Sequence, residues 1–161
     1  LALSYHHMYS LPIVISRTEN VYGPYQGREK VFPTFTRKAL ANEPLTIYGK
    51  GDHIRQWCHV EDAVRGALLL LEKGIPGEIY HIAGHQELMN LDLAKKILHI
   101  LGKPEDMVTF IDDSKIRPGH DKRYSLSSDK IRKLGWEPKW TLDDGIKSVV
   151  LWYRDNMEWH R

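Results

Sequence analysis

Residues 11–27 read LPIVISRTENVYGPYQG, and this stretch indicates the fold most directly. Its first part, Leu11 to Arg17, is a short apolar run rich in β-branched residues. It is entered through a proline and left through a polar segment, which is typical of a buried parallel strand. A second such run, EIYHIA from Glu78 to Ala83, follows the turn residues Pro76 and Gly77. The two runs predict two strands of a parallel-sheet core.

The rest of the chain predicts a mixed α/β arrangement. Further elements are predicted as helices over Phe32 to Asn42 and Asp62 to Lys73, a helix that Asn90 caps and that runs through Leu101, a strand over Leu45 to Tyr48, and a last helix capped by Thr141. A sheet of two short strands is marginal by itself and leaves its edges exposed. The chain also begins without an initiator Met or a helix cap. We therefore expect that a preceding, N-terminal part of the protein, which would pair with this sheet, is missing from the chain.

Composition excludes several classes of protein. The 161 residues carry 23 basic and 21 acidic side chains, a balance that does not favour nucleic acid as a partner. The longest purely apolar stretch, residues 67–71, is far shorter than the ~20 residues of a membrane span. The single cysteine, Cys58, excludes an internal disulfide framework, and no metal-site spacing is present. We predict a cytoplasmic protein without a membrane, metal or nucleic-acid partner.

Three segments could recognise an anion. The first is residues 111–124, IDDSKIRPGHDKRY, where cations surround a Pro-Gly turn. The second is Arg55, which follows the turn at Gly49 and Gly51, and the third is the loop of residues 17–24 after the first strand. Guanidinium groups bind phosphate oxygens bidentately, and glycine permits close backbone approach. A solvated polar loop and an ordinary surface hairpin remain alternative interpretations of the first two.

The sequence has no glycine-rich dinucleotide fingerprint. Gly49 and Gly51 are not followed by a third glycine and a helix, and no Tyr-x-x-x-Lys pair occurs. Nothing in this chain is therefore expected to hold a dinucleotide pyrophosphate.

Several sequence blocks occur together in a fixed order. They are RTENVYGPYQ (17–26), EKVFP (29–33), IYGKGDHIRQW (47–57), VED (60–62), GEIYHI (77–82), RPGHDKRY (117–124) and LGWEP (134–138). Taken together they resemble the nucleotide-sugar branch of the extended short-chain dehydrogenases, most closely the dTDP-glucose 4,6-dehydratases. The Arg-Pro-Gly-His-Asp run is the most specific of them.

The resemblance implies that residues 1–161 are the C-terminal half of such an enzyme. The fold is then α/β, with a partial Rossmann-like, doubly wound sheet from residues 1–25 and 60–84. A small mixed α/β substrate-binding part comes mainly from residues 26–59 and 85–161. The activity implied is an NAD-dependent lyase reaction that oxidises C4 of dTDP-glucose, eliminates water and returns the hydride. NAD and the acid/base groups would belong to the N-terminal half of a homodimeric enzyme.

The resemblance also places binding residues but no catalytic acid or base. Substrate contacts fall on Asn20, Lys30, Val31, Thr46, Ile47, Tyr48, Arg55, Asn90, Arg117, Pro118, Gly119, His120 and Asp121, and the cofactor contact falls on Val21.

Three positions depart from the family pattern. Val21 stands where relatives often have Asn, Gln56 interrupts the usual Arg-Asp-Trp, and His81 to Gly84 replace Asn-Ile-Gly-Gly. Two alternatives therefore remain: another nucleotide-sugar epimerase or decarboxylase, and a non-catalytic sugar-nucleotide-binding module.

Overall fold

A computed structural model describes residues 1–112, 119 and 121–160, in which helices alternate with pairs of consecutive strands until two helices end the chain. The helices are α1 (Ala2–Tyr9), α2 (Val31–Leu40), α3 (Val60–Lys73), α4 (Asn90–Ile100), α5 (Asp129–Arg132) and α6 (Leu142–Asp155). The strands are β1 (Ile15–Thr18), β2 (Asn20–Tyr22), β3 (Leu45–Tyr48), β4 (Ile54–His59), β5 (Ile79–Ile82), β6 (Glu87–Met89), β7 (Val108–Ile111) and β8 (Arg123–Tyr124). Single 3-10 turns cover Glu105–Met107 and Met157–His160.

The strands of the described residues form three groups. Strands β1 and β5 pair in parallel, with Ile15 opposite Ile79, which confirms the two predicted parallel strands and the α/β class. The prediction that the first of them is buried is wrong, because Ser16, Arg17 and Thr18 are exposed in this chain. Strands β3 and β7 also pair in parallel. Strand β4 lies at the centre of the third group, parallel to β2 and β8 and antiparallel to β6. Every partner of β4 is distant from it in sequence, so its place depends on long-range pairing.

Two apolar clusters form the core. The larger one packs α2, α4 and α6 against β3 and β4, and its fully buried side chains include Phe32, Ile97 and Tyr153. The smaller one packs α3 and β5 against Ile131 and Trp136 from the C-terminal region. The division of the chain into a sheet-associated part and a substrate-binding part stays a prediction.

Two predicted helix caps have different outcomes. The Thr141 side chain accepts a hydrogen bond from the Asp144 amide at 3.1 Å, which confirms it as the cap of α6. The prediction for Asn90 is wrong, because Asn90 is the first residue of α4 and Met89 precedes it without a side-chain cap. The amide of Asn90 donates instead to the carbonyl of His53 at 3.0 Å. The backbone of a neighbouring segment therefore accepts a hydrogen bond from an N–H group at the start of α4, where a capping side chain often does so.

No helix in the described part of the chain has the length and apolar character needed to cross a membrane.

Candidate functional site

A cavity of about 780 Å³ opens between α2, β3, β4 and the start of α4. The side chains around it come from segments that are far apart in sequence. They are Asn20, Val21, Gln26, Glu29, Lys30, Val31, Thr34, Phe35, Lys38, Thr46, Ile47, Tyr48, Arg55, Trp57, Asn90 and Tyr124.

The structure brings most of the predicted binding residues to this one cavity. All of those from Asn20 to Asn90, including Val21, line it. Asp121 is exposed and reaches the site through its backbone carbonyl, which accepts a hydrogen bond from Arg55. Gly119 is exposed and is not part of the cavity wall. Arg117, Pro118 and His120 lie outside the described residues.

Helix α2 supplies one wall through a single face. Val31, Thr34, Phe35 and Lys38 line the cavity, and their spacing places them on one stripe of the helix. The helix begins at Val31, after Lys30 in an extended conformation. Its N-terminus therefore opens at the cavity, where the helix dipole adds positive potential. The adjacent face of α2 packs Phe32 and Ala39 into the core.

Arg55 is a buried cation in the cavity wall, with only 7% of its surface exposed. Its Nη1 atom donates to the carbonyls of Ile54 at 2.6 Å and Lys122 at 3.3 Å, and its Nη2 atom donates to Asp121 at 3.0 Å. The Tyr124 ring centroid lies 4.2 Å from its guanidinium carbon, a cation–π distance. These contacts fix the guanidinium in place, which makes it a preorganised partner for an anion.

The charges around the cavity favour an anionic ligand. Lys30, Lys38 and Arg55 are its described cations, and Glu29 is its described carboxylate. Glu29 lies 3.3 Å from the Lys30 ammonium. A hydrogen bond from its own backbone, and then the one from Lys30, lower the pKa of Glu29 below its ordinary value. The described cations around the cavity therefore outnumber the described carboxylate.

The remaining residues around the cavity include apolar and aromatic side chains and amide side chains. Ile47, Tyr48 and Phe35 offer the flat or apolar surface that a ring can pack against. The amide nitrogen of Asn20 donates to the carbonyl of Gln56 at 3.3 Å, which orients that side chain. The cavity thus combines a cation cluster, an apolar surface and amide groups, which suits a ligand with a charged centre and two dissimilar ends.

Sequence reasoning missed Lys38 and Gln26, and it included Tyr124 only as the last residue of the candidate segment 111–124. The spacing of Lys38 from Val31 places both residues on one face of the predicted helix, so Lys38 could have been predicted from the sequence. Tyr124 reaches the site because β8 pairs with β4, and no local pattern predicts that pairing. Two other segments hold Gln26. Its side-chain Nε2 atom donates to the Val21 carbonyl at 2.8 Å, and its backbone amide donates to the Tyr153 hydroxyl at 2.8 Å.

Residues 1–149 match the family model described as GDP-mannose 4,6 dehydratase. The chain belongs to this family. It is 46% identical over 160 residues to a dTDP-glucose 4,6-dehydratase of Streptomyces niveus, covering 99% of this chain and 47% of that protein. The chain spans about half the length of the curated relatives it matches. The resemblance to the dTDP-glucose 4,6-dehydratases is therefore confirmed.

Solved structures agree with this assignment. The dTDP-glucose 4,6-dehydratase of Streptomyces venezuelae, crystallised with NAD, superposes with a TM-score of 0.92 at 43% identity and covers 98% of this chain and 48% of its own. A UDP-glucuronic acid 4-epimerase of Bacillus cereus, in complex with UDP-glucuronic acid and NAD, superposes at 0.86 with 30% identity, covering 94% and 48%. The Rossmann-like fold class is confirmed, and NAD is the cofactor in both structures.

The residues that the structure describes do not form a site that fits the pyrophosphate of NAD. Strand β1 leads directly to Glu19 and β2, and β5 leads to Gly84 and β6, so neither core strand runs through a glycine-rich turn into a helix N-terminus. Val21 lines the cavity, but a valine side chain offers only apolar contact.

Proposed function

We propose that this chain is the substrate-binding half of an NAD-dependent nucleotide-sugar dehydratase, and that it binds dTDP-glucose in the 780 Å³ cavity. The observation that carries the proposal is the buried guanidinium of Arg55 in the same cavity wall as Lys30 and Lys38. A diphosphate is the part of the substrate that needs such a cluster, because fixed cations bind phosphate oxygens by charge-assisted hydrogen bonds.

The rest of the substrate follows from the position of the diphosphate. The thymine ring packs against Ile47 and Tyr48, with Thr46 as a hydrogen-bonding group beside it. The sugar lies on the side of Asn20 and Val21. Asn90 and the Lys30–Val31 segment at the start of α2 contact the substrate between these ends. Arg117, Pro118, Gly119, His120 and Asp121 are proposed to contribute from the segment that follows β7.

The proposed reaction belongs to the longer protein. It converts dTDP-glucose to dTDP-4-keto-6-deoxyglucose by oxidation at C4, elimination of one water across C5 and C6, and return of the hydride to C6. NAD would be held outside this chain and supplies the reversible hydride acceptor. The role assigned here is to bind and orient the nucleotide sugar. A cytoplasmic location and a homodimeric assembly of the longer protein stay predictions.

Calorimetric titration tests the binding proposal. The chain is titrated with dTDP, dTDP-glucose, UDP-glucose and NAD, and the titration is repeated with Arg55→Ala. Arg154→Ala is the matched control, because Arg154 is an exposed arginine paired with Asp155 in α6. We expect dTDP ligands to bind and NAD not to bind. Loss of a charged hydrogen bond of about 1.5–3 kcal/mol predicts at least tenfold weaker binding in Arg55→Ala. Equal affinity in the two variants would refute the role of Arg55.

A second candidate is a nucleotide-sugar epimerase or decarboxylase of the same superfamily. The likeness to the UDP-glucuronic acid 4-epimerase and the departures at Val21 and Gln56 favour it. The UDP-glucose arm of the titration separates the candidates, because tighter binding of UDP-glucose than of dTDP-glucose supports the second one.

A further inference from the structure

Gln56 is a buried amide at a junction of three segments. It has 7% of its surface exposed and lies between Arg55 and Trp57 on β4. Its Nε2 atom donates to the carbonyl of Gly84 at 2.6 Å, and its Oε1 atom accepts from the amide of Leu126 at 2.7 Å. Both contacts cross large distances in sequence.

The first of these contacts joins β4 to the end of β5. Gly84 follows β5 by two residues, and a Cβ atom on it would lie 2.0 Å from the carbonyl oxygen of Trp57. Only glycine permits this approach, so the turn after β5 rests directly on the β4 backbone. The hydrogen bond from the Gln56 side chain to the Gly84 carbonyl attaches this turn to β4.

The second contact joins β4 to the segment that carries Tyr124 into the cavity. Residues 121–126 are held at their start by Arg55, which donates to the carbonyls of Asp121 and Lys122. They are held at their end by Gln56, which accepts from Leu126. The two anchors are consecutive residues of one strand, and β8 lies between their points of attachment.

This arrangement requires a neutral amide. Gln56 donates through nitrogen and accepts through oxygen at the same time, which a carboxylate cannot do, because an ionised carboxylate only accepts. An aspartate here would also be one methylene shorter, too short to span both contacts.

We propose that Gln56 is a positioning residue, which fixes residues 121–126 and thereby sets the geometry of Arg55 and Tyr124 at the cavity. It acts through these two side chains and does not touch the ligand itself. The inference deepens the proposed function and rests on it for its binding consequence. The attachment of Leu126 can be measured without any ligand.

Gln56→Glu is the decisive variant, because it replaces the amide by a carboxyl group whose protonation, and so its ability to donate, depends on pH. At about pH 8 the ionised carboxylate opposes the Gly84 carbonyl, and dTDP binding is expected to be about tenfold weaker than in the unmodified chain. Burial raises the pKa of a glutamate, so at about pH 5.5 the protonated acid again donates and accepts. Affinity should then return to within about threefold of the unmodified chain at the same pH.

Two further variants control this test. Gln86→Glu makes the same change at an exposed glutamine and should leave affinity unchanged at both pH values. Gln56→Met fills similar space without hydrogen bonds and should bind weakly at both. Because each variant is compared with the unmodified chain at the same pH, titration of Glu19, Glu87 and the histidines cancels. Full affinity of Gln56→Glu at pH 8, or no recovery at pH 5.5, would overturn the proposal.

Amide hydrogen exchange decides the inference separately from binding. The Leu126 amide should exchange slowly in the unmodified chain and at least tenfold faster in Gln56→Met, with shifted NMR signals from Tyr124. If no variant binds dTDP, the proposed function fails, while slow exchange that depends on Gln56 still supports its attachment role. If Leu126 exchanges equally fast in both chains, the Gln56 inference fails even where dTDP binds.

Discussion

Replacing Asp62 by asparagine is expected to lower the free energy of unfolding by about 2–4 kcal/mol. Asp62 has 1% of its surface exposed. Its two carboxylate oxygens accept the backbone amides of Lys139 at 3.0 Å and Trp140 at 3.1 Å, and Oδ1 also pairs with Arg65. One buried carboxylate in the first turn of α3 therefore holds the loop that leads into α6.

The magnitude follows from what the amide can still do. An asparagine with its oxygen at the Oδ1 position retains the contacts with the Lys139 amide and the Arg65 guanidinium, while its NH₂ group faces the Trp140 amide, which is also a donor. The loss is one charge-assisted hydrogen bond, about 1.5–3 kcal/mol. The ion pair adds about 1 kcal/mol or less, because Arg65 is 34% exposed and solvent screens it.

Urea unfolding at pH 7 measures this change, and calorimetry should show a melting temperature lower by roughly 5–15 °C. Asp106→Asn is the control, because Asp106 is exposed in the Glu105–Met107 turn and its replacement should change stability by about 0.5 kcal/mol or less. If Asp62→Asn is as stable as that control, the carboxylate does not hold the loop and the reasoning is refuted.

Three further predictions concern other buried polar groups. Tyr153→Phe removes a hydroxyl that donates to the Gly23 carbonyl and accepts from the Gln26 amide, so urea unfolding should show a loss of about 1–2 kcal/mol. Burial raises the pKa of the Cys58 thiol to about 12, so thiol reagents at about pH 8 should label it only after unfolding. Labelling of the native chain at the rate of a free thiol would contradict this. Burial lowers the pKa of His59 against the opposing effect of Glu61 and Asp62. The unfolded chain therefore takes up the proton first, and stability falls as the pH drops below about 6.5. His59→Phe should flatten that decline in urea titrations at successive pH values, and an unchanged slope would exclude His59 as its source.

The elements found from the sequence are those with a strong local pattern. The apolar runs of β1 and β5 and the helical spacing of α2, α3 and α4 are visible without any knowledge of their partners. Strands β2, β6 and β8 have only two or three residues each, which is too short for a period to emerge. Each exists because β4 lies beside it, and β4 follows a glycine turn that resembles an ordinary hairpin.

The site was predicted in part for the same reason. Arg55 stood out because a cation follows a Gly-x-Gly turn, and the family resemblance added half of the described residues that line the cavity. Lys38 was missed although it shares the face of α2 with Val31. Gln56 was noticed only as a departure from the family pattern. Its role depends on Gly84 and Leu126, which no spacing in the sequence connects to it.

The register of β4 links binding to folding. Successive side chains of a strand point to opposite faces, and Arg55 and Trp57 line the cavity, whereas Gln56 bonds to Gly84 and Cys58 packs in the smaller core cluster. If β4 shifted by one residue against its partner strands, every side chain would change face, because the side-chain period is two. Gln56 would then face the cavity, and the Arg55 charge would face the smaller apolar cluster. Three neighbouring strands fix the register, and the two polar anchors at Arg55 and Gln56 penalise the alternative. The strand can therefore present its cation to a ligand only in the pairing that also completes the core.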